Sequence, residues 1–215
     1  MVKRLTNELS AAKSSSIWLD DVIQLLQLCD DLKDEERHVL QAIVELISSL
    51  YDCNMKTPSE SHLASSYVHP FIHGLFSSKH PSKIAHCSNL MVDEQTSTNT
   101  RLCKDAIDNF NLSTTIGFQV VGKTIAFFAM NLQYKHLYTF TEIVSLEISL
   151  KKSDLLNLVG RFDDLATLSY IHDNLCTPST RDISHLRIET SQYVMIVTQI
   201  PLPDYLLNHL TTSLV

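Results

Sequence analysis

Glycine is scarce in this 215-residue chain. The four present are Gly74, Gly117, Gly122 and Gly160, and their spacing builds neither a dinucleotide fingerprint nor a phosphate-cradling loop. Rossmann-type and P-loop nucleotide binding are thereby excluded. A Gly-x-Ser-x-Gly elbow and a His-Glu-x-x-His run are also missing. A Ser/His/Asp or Cys/His site assembled from distant residues stays open, because such sites are geometric rather than sequential. Cysteine is sparse, odd in number and scattered (Cys29, Cys53, Cys87, Cys103, Cys176), which fits buried or incidental thiols in a reducing compartment better than a disulfide framework. Basic residues are outnumbered 17 to 24, and the net charge of −7 argues against avid nucleic-acid binding, although a local basic stripe can sit on an acidic protein. The longest apolar stretch, Ile125 to Met130, is too short for a membrane span. Met1 to Ser16 has Lys3 and Arg4 but no apolar core, so no secretory signal is expected. The expectation is a soluble intracellular protein, cytoplasmic or nuclear, in which the sequon Asn111-Leu112-Ser113 is incidental.

What is present describes a globular chain. The hydrophobic share of 44% and charged share of 19% are ordinary, and 215 residues suffice for one substantial domain or a domain plus a helical appendage. Residues 1–16 are polar and read as a flexible N-terminus. Residues 17–55 read as a helical hairpin. Trp18, Val22, Leu25, Leu26 and Cys29 recur at helical steps, as do Val39, Ile43, Leu46, Ile47 and Leu50, with Asp34, Glu35 and Glu36 suited to a helix N-terminus between them. Such a hairpin either packs on its own domain or offers a partner-binding or dimer surface.

Ser59 is placed to cap a helix through His62 to Phe76, with Leu63, Tyr67, Phe71 and Leu75 along one face; Pro70 should kink or interrupt it. Periodicity fails from Ser77 to Thr100, where Ser, Thr, Asn and Lys dominate. Leu102, Ala106, Ile107 and Phe110 then mark a short helix. Ile116, Phe118 and Val120 alternate as a strand, and Gly122-Lys123 forms a two-residue hairpin turn. Thr124 to Leu132 is apolar on both alternating sets, the pattern of a central strand covered on both faces. Leu137 to Ile148 makes a third strand whose alternation shifts near Glu142 and Ile143, as at a bulge. Ser153 and Asp154 cap a last helix carrying Leu155, Val159, Phe162 and Ala166, which Thr177-Pro178 stops. The tail, 177–215, holds one candidate strand at Tyr193 to Val197, and whether it joins the sheet is open. The fold class is therefore α/β in the α+β sense: an N-terminal helical hairpin, then a small, mainly antiparallel three-stranded meander flanked by helices.

Histidine clusters in one place. His62, His69, His73, His80 and His86 fall close together, with Cys87 beside the last. His69 and His73 are four apart, so an unbroken helix puts both imidazoles on one face. Two readings stand: surface histidines beside a loop, or a zinc-like site from His69, His73, His86 and Cys87.

Ser66-Tyr67-Val68-His69-Pro70-Phe71-Ile72, ending in Leu75-Phe76, resembles the opening helix of a group of fungal proteins that carry a divergent nuclease-like core of the PD-(D/E)XK class. Leu102-Cys103-Lys104-Asp105-Ala106-Ile107-Asp108 followed by Phe118-Gln119-Val120-Val121-Gly122 is similar to their middle segment, and the third strand and the Asp154-Leu155-Leu156 helix follow the same order. The resemblance spans 59–176. It implies a core whose metal-binding Asp and Glu-x-Lys hold magnesium and position the attacking water. Here Glu-x-Lys occurs nowhere, and the only acidic residues between Phe76 and Leu102 are Asp93 and Glu94, which in a strand point to opposite faces. No catalytic, cofactor-binding or metal-binding residue carries over. The resemblance implies a truncated core that has lost its active centre and has an exposed strand edge near Ile116.

Three functions follow. The first is an inactive nuclease-like remnant acting through protein contact or self-association, by the hairpin or by the sheet edge. The second is an unrelated helical interaction or scaffold module. The third is a metal-dependent hydrolase built on the His62–His86 cluster.

Overall fold

A computed structural model describes residues 32–47, 49–50, 58–76, 92–134, 137–151, 154–179 and 194–198. The chain divides into two compact units, residues 1–89 with 146–169 and residues 90–145 with 170–215. The first helix expected for the hairpin, 17–29, lies outside the described residues.

The first unit is helical. Helix α1 spans Asp34–Ile47, with Asp34, Glu35 and Glu36 in its first turn, where the helix dipole favours anions. Glu36 reaches back to accept from the Lys33 backbone N–H at 3.2 Å, half of a capping box. Val39, Ile43, Leu46 and Ile47 are buried as their spacing requires, and Leu40 and Ala42 join them. Ser59 caps α2 (Glu60–Leu63) by accepting from the His62 N–H at 3.3 Å. A π turn, Ala64–Val68, then leads into α3, His69–Leu75. Pro70 does not end the helix. It sits in the first turn of α3, and the wider π register precedes it, with the His69 N–H bonding back to Ala64. The expected interruption is thus a local change of hydrogen-bond register at a residue that has no N–H to give. Phe71, Ile72 and Leu75 are fully buried. At Gly74 the chains of α3 and α1 nearly touch: a Cβ there would lie 2.5 Å from Ala42 Cα.

The same unit takes in α5 (Leu155–Val159) and most of α6 (Phe162–Tyr170). The expected single helix is broken at Gly160 and Arg161, although Leu155, Leu158, Val159, Phe162, Leu165 and Leu168 are all buried. Asp154 holds the N-cap position of α5 without a side-chain hydrogen bond to the helix. His38 Nδ1 on α1 and Ser169 Oγ on α6 lie 2.9 Å apart.

The second unit packs α4, Val92–Phe110, against the strands β1 (Thr114–Val121) and β2 (Thr124–Tyr134). Helix α4 corrects the expectation of an irregular 77–100, because its helical backbone begins at Val92, ten residues before the first apolar marker, Leu102. It ends in a Schellman arrangement: Asn111 adopts a left-handed φ of 53°, the Leu112 N–H bonds to Ile107 O at 3.1 Å, and Leu112 packs on the cluster containing Ile107. The sequon asparagine is therefore a helix terminator, and its Nδ2 donates to Ser179 O at 3.1 Å.

β1 and β2 pair antiparallel in unbroken register from Thr114↔Asn131 to Val121↔Thr124. Gly122 takes a φ of 57° at the first of the two turn positions, the φ signature of a type II′ hairpin. β2 is central, between β1 and β3 (Leu137–Glu147), in an antiparallel three-stranded array. Its two pleats are both used: Ile125 and Phe127 are buried from one, Met130 from the other. The buried positions of β3 (Tyr138, Phe140, Val144, Leu146) keep one parity throughout, so the expected phase shift does not occur. Glu142 occupies that row half-buried, and the neighbouring Ile143 belongs to the other face. The tail joins the sheet. β4, Val194–Thr198, runs parallel to β3, with Leu137↔Val194 in register, and makes the sheet four-stranded in the order β1-β2-β3-β4. At the start of β1, Leu112 bridges Pro178 and the Ser113 N–H bonds to Thr177 O at 3.0 Å.

Candidate functional site

Helix α4 carries the most unusual chemistry in the described structure. Its inner stripe is Thr100, Cys103, Lys104 and Ile107, at helical steps of three, one and three, and all four are buried. Placing a lysine in such a stripe is costly unless its charge is met. It is met here. Lys104 Nζ donates to Asp108 Oδ2 at 2.7 Å, one turn further along the helix. Asp108 Oδ1 accepts from the Tyr138 hydroxyl on β3 at 2.6 Å, a short bond of the charge-assisted kind. The ammonium also stands 5.4 Å from the centroid of the Tyr138 ring. Tyr138 is fully buried and the Lys104 side chain is 3% exposed.

The rest of the inner face fits this seat. Cys103 lies over Gly117 of β1, where a Cβ would come 2.8 Å from its Sγ. Burial pushes the Cys103 thiol up to about 12, so it stays protonated at neutral pH. Phe128 and Phe140 stack beside it, ring centroids 4.7 Å apart. The network can anchor α4 and fix its roll. With its amine and hydroxyl sealed and paired, it is poorly placed to meet a substrate.

The outer face is the inverse. Leu102 is 50% exposed and Phe110 69% exposed, with the half-buried Ala106 between them on the same stripe. Of the four residues whose spacing marks the helix in the sequence, Leu102, Ala106, Ile107 and Phe110, only Ile107 is buried. Magnitudes explain the choice of roll. Leaving Leu102 and Phe110 largely wet forgoes roughly 2–4 kcal/mol of burial. Rolling α4 to bury them would expose Ile107, worth roughly 1.5–3 kcal/mol by the same measure. It would also strip the buried Tyr138 hydroxyl of its acceptor, at about 1–3 kcal/mol.

The histidines divide. His62 on α2 meets the π turn that follows it, its Nδ1 3.3 Å from Ser66 Oγ and its ring edge-on to Tyr67. His69 and His73 are brought together on α3, rings nearly parallel and centroids 6.3 Å apart, and His73 Nδ1 lies 3.2 Å from Glu45 Oε2 on α1. His80, His86 and Cys87 lie outside the described residues. Asp93 and Glu94 lie on the helical backbone of α4, not on a strand. Among the described residues, no three His, Cys, Asp or Glu side chains gather as a metal-holding set. Sequence reasoning missed the Lys104–Asp108–Tyr138 network. Its signal was a lysine and an aspartate four apart, the lysine flanking Cys103 and three residues before Ile107, on a stripe other than the most apolar one.

No protein-family model, curated protein or solved structure matches this chain. No helix among the described residues is long and apolar enough to cross a membrane.

Proposed function

We propose that this chain is a catalytically inactive remnant of a nuclease-like core that acts inside the cell through protein contact, with the outer face of α4 as the contacting surface. The observation that carries the contact half of this reading is the exposure of Leu102 and Phe110 on a helix whose lysine is buried. Two apolar side chains on one helix stripe make a small apolar strip of the kind an amphipathic partner can cover. The absence of both Glu-x-Lys and Asp-x-Lys from residues 59–176 supports the inactive half of the reading, and the buried thiols Cys103 and Cys176 suit a reducing compartment.

Two experiments test it. A photo-crosslinking amino acid at Phe110 should give discrete adducts with one protein, a second copy of the chain included, and the same probe at the exposed hairpin residue Lys123 should not. Equal labelling at both positions, or none at Phe110, would refute the contact surface. Incubation with single- and double-stranded DNA and magnesium or manganese should give no cleavage. Metal-dependent cleavage that co-purifies with the chain would refute the inactive remnant.

A further inference from the structure

We propose that His69 and His73 form a two-imidazole site for a divalent transition metal, with Glu45 as the carboxylate that orients His73. The two histidines stand four residues apart on α3, and both are exposed, His73 with 62% of its side chain free. Pro70 between them does not disturb the spacing, because the π turn lies ahead of His69 and the backbone from His69 onward is α-helical.

The decisive feature is what lies behind His73. Its Nδ1 is 3.2 Å from Glu45 Oε2, and the other oxygen of Glu45 accepts from Gln41 Nε2 at 2.9 Å. A carboxylate only accepts, so Nδ1 carries the proton in that bond, and Nε2 is the nitrogen turned away from Glu45 and available to a metal. A ligating histidine held by a carboxylate on its second nitrogen is the usual outer shell of a protein metal site. Glu45 is thus a positioning residue and not a ligand, and among the described residues no third ligand joins the two histidines.

At a 6.3 Å centroid separation the two rings do not yet share an ion, which needs both nitrogens at about 2.0–2.1 Å from zinc. Rotation of the exposed His69 side chain towards the ring that Glu45 holds supplies that convergence, and water completes the shell. Two imidazoles with no thiolate favour zinc, copper(II) or nickel(II) over magnesium or calcium.

The test is calorimetric titration of the full-length chain with zinc, copper(II) and magnesium salts. The wild type should show one tightest site for zinc and for copper, and no magnesium heat. His69→Asn and His73→Asn should each abolish that site, and His62→Asn should retain it. Glu45→Gln should weaken it about tenfold, with unchanged helical circular dichroism. No zinc or copper binding by the wild type, or binding undiminished in His69→Asn and His73→Asn, would overturn the site. Wild-type affinity in Glu45→Gln would overturn the role given to Glu45.

Discussion

Helices α1 and α4 are both amphipathic, and they resolve that property in opposite ways. Along α1 the apolar stripe is the buried stripe, and the polar face points outward with its own small network, Gln41 to Glu45 to His73. Along α4 the buried stripe includes a lysine, a threonine and a cysteine, while a leucine and a phenylalanine face out. Burial of apolar area alone explains the first helix. The second is set by two demands of the sheet beneath it, an acceptor for the Tyr138 hydroxyl and a side chain to fill the room above Gly117, and by one of its own, a carboxylate for the buried Lys104. A helix seated by polar satisfaction leaves its apolar residues free for another purpose.

The largest expected effect breaks that seat. Asp108→Ala leaves the Lys104 ammonium buried without its carboxylate and the Tyr138 hydroxyl without its acceptor. Taking the carboxylate out of a buried ion pair costs about 3–5 kcal/mol, read as a shift in the urea midpoint. Lys104→Met with Asp108→Asn removes the charge and keeps an acceptor for Tyr138, so the double variant should be more stable than Asp108→Ala alone. If the double variant is no better, the ammonium was never the liability and the contrast between the two helices fails.

Close backbone approach provides the next comparison. Gly74→Ala puts a Cβ 2.5 Å from Ala42 Cα, and because the obstacle is backbone, α3 and α1 must separate. A loss of about 1–3 kcal/mol is expected in thermal or urea melts, with no single partner substitution able to restore it. Gly117→Ala meets the Cys103 Sγ instead, at 2.8 Å, which is a removable obstacle. Its cost should fall in a Cys103→Ala background, with a coupling of about 0.5–3 kcal/mol in the double-mutant cycle. The thiol gives this cycle a pH signature. Its folded pKa, about 12, lies above the unfolded value of 9.0, so the folded state holds the proton more tightly. Stability linked to Cys103 is therefore complete below about pH 9 and declines as pH rises towards 12. Alkaline melts of the Cys103→Ala variant should lack that part of the decline.

The same contrast explains what could be read from the sequence. The stripe Val39, Ile43, Leu46, Ile47 was legible because apolar periodicity and burial coincide on α1. The β1–β2 hairpin was legible because Gly122 marks the one turn position that needs a positive φ. Helix α4 was legible only near its C-terminal end, since the Ser, Thr and Asn residues before Leu102 give no apolar period and Leu102 and Phe110 point to the wrong face. The parity of β3 was misread because Glu142 sits in the buried row, where an alternation test places a break. The attachment of β4 could not be read, because pairing between strands far apart in sequence leaves no local mark. The pairing of Lys104 and Asp108 with Tyr138, thirty residues beyond Asp108, is non-local in the same way.

The smallest expected effect on stability bears most on function. Phe110→Ser removes a large ring from the outer face of α4 and should change the unfolding free energy by no more than about 0.5 kcal/mol, the usual range for an exposed substitution. Ile107→Ala, three residues away on the inner face, should cost about 2–5 kcal/mol by the cavity it leaves. The two variants should therefore separate the roles of the helix: one disturbs folding and the other disturbs only contact with a partner. A loss above about 1 kcal/mol in Phe110→Ser would mean that the ring is covered within the folded chain itself. The outer face of α4 would then be part of the core, and the contact surface proposed for it would have to be sought elsewhere.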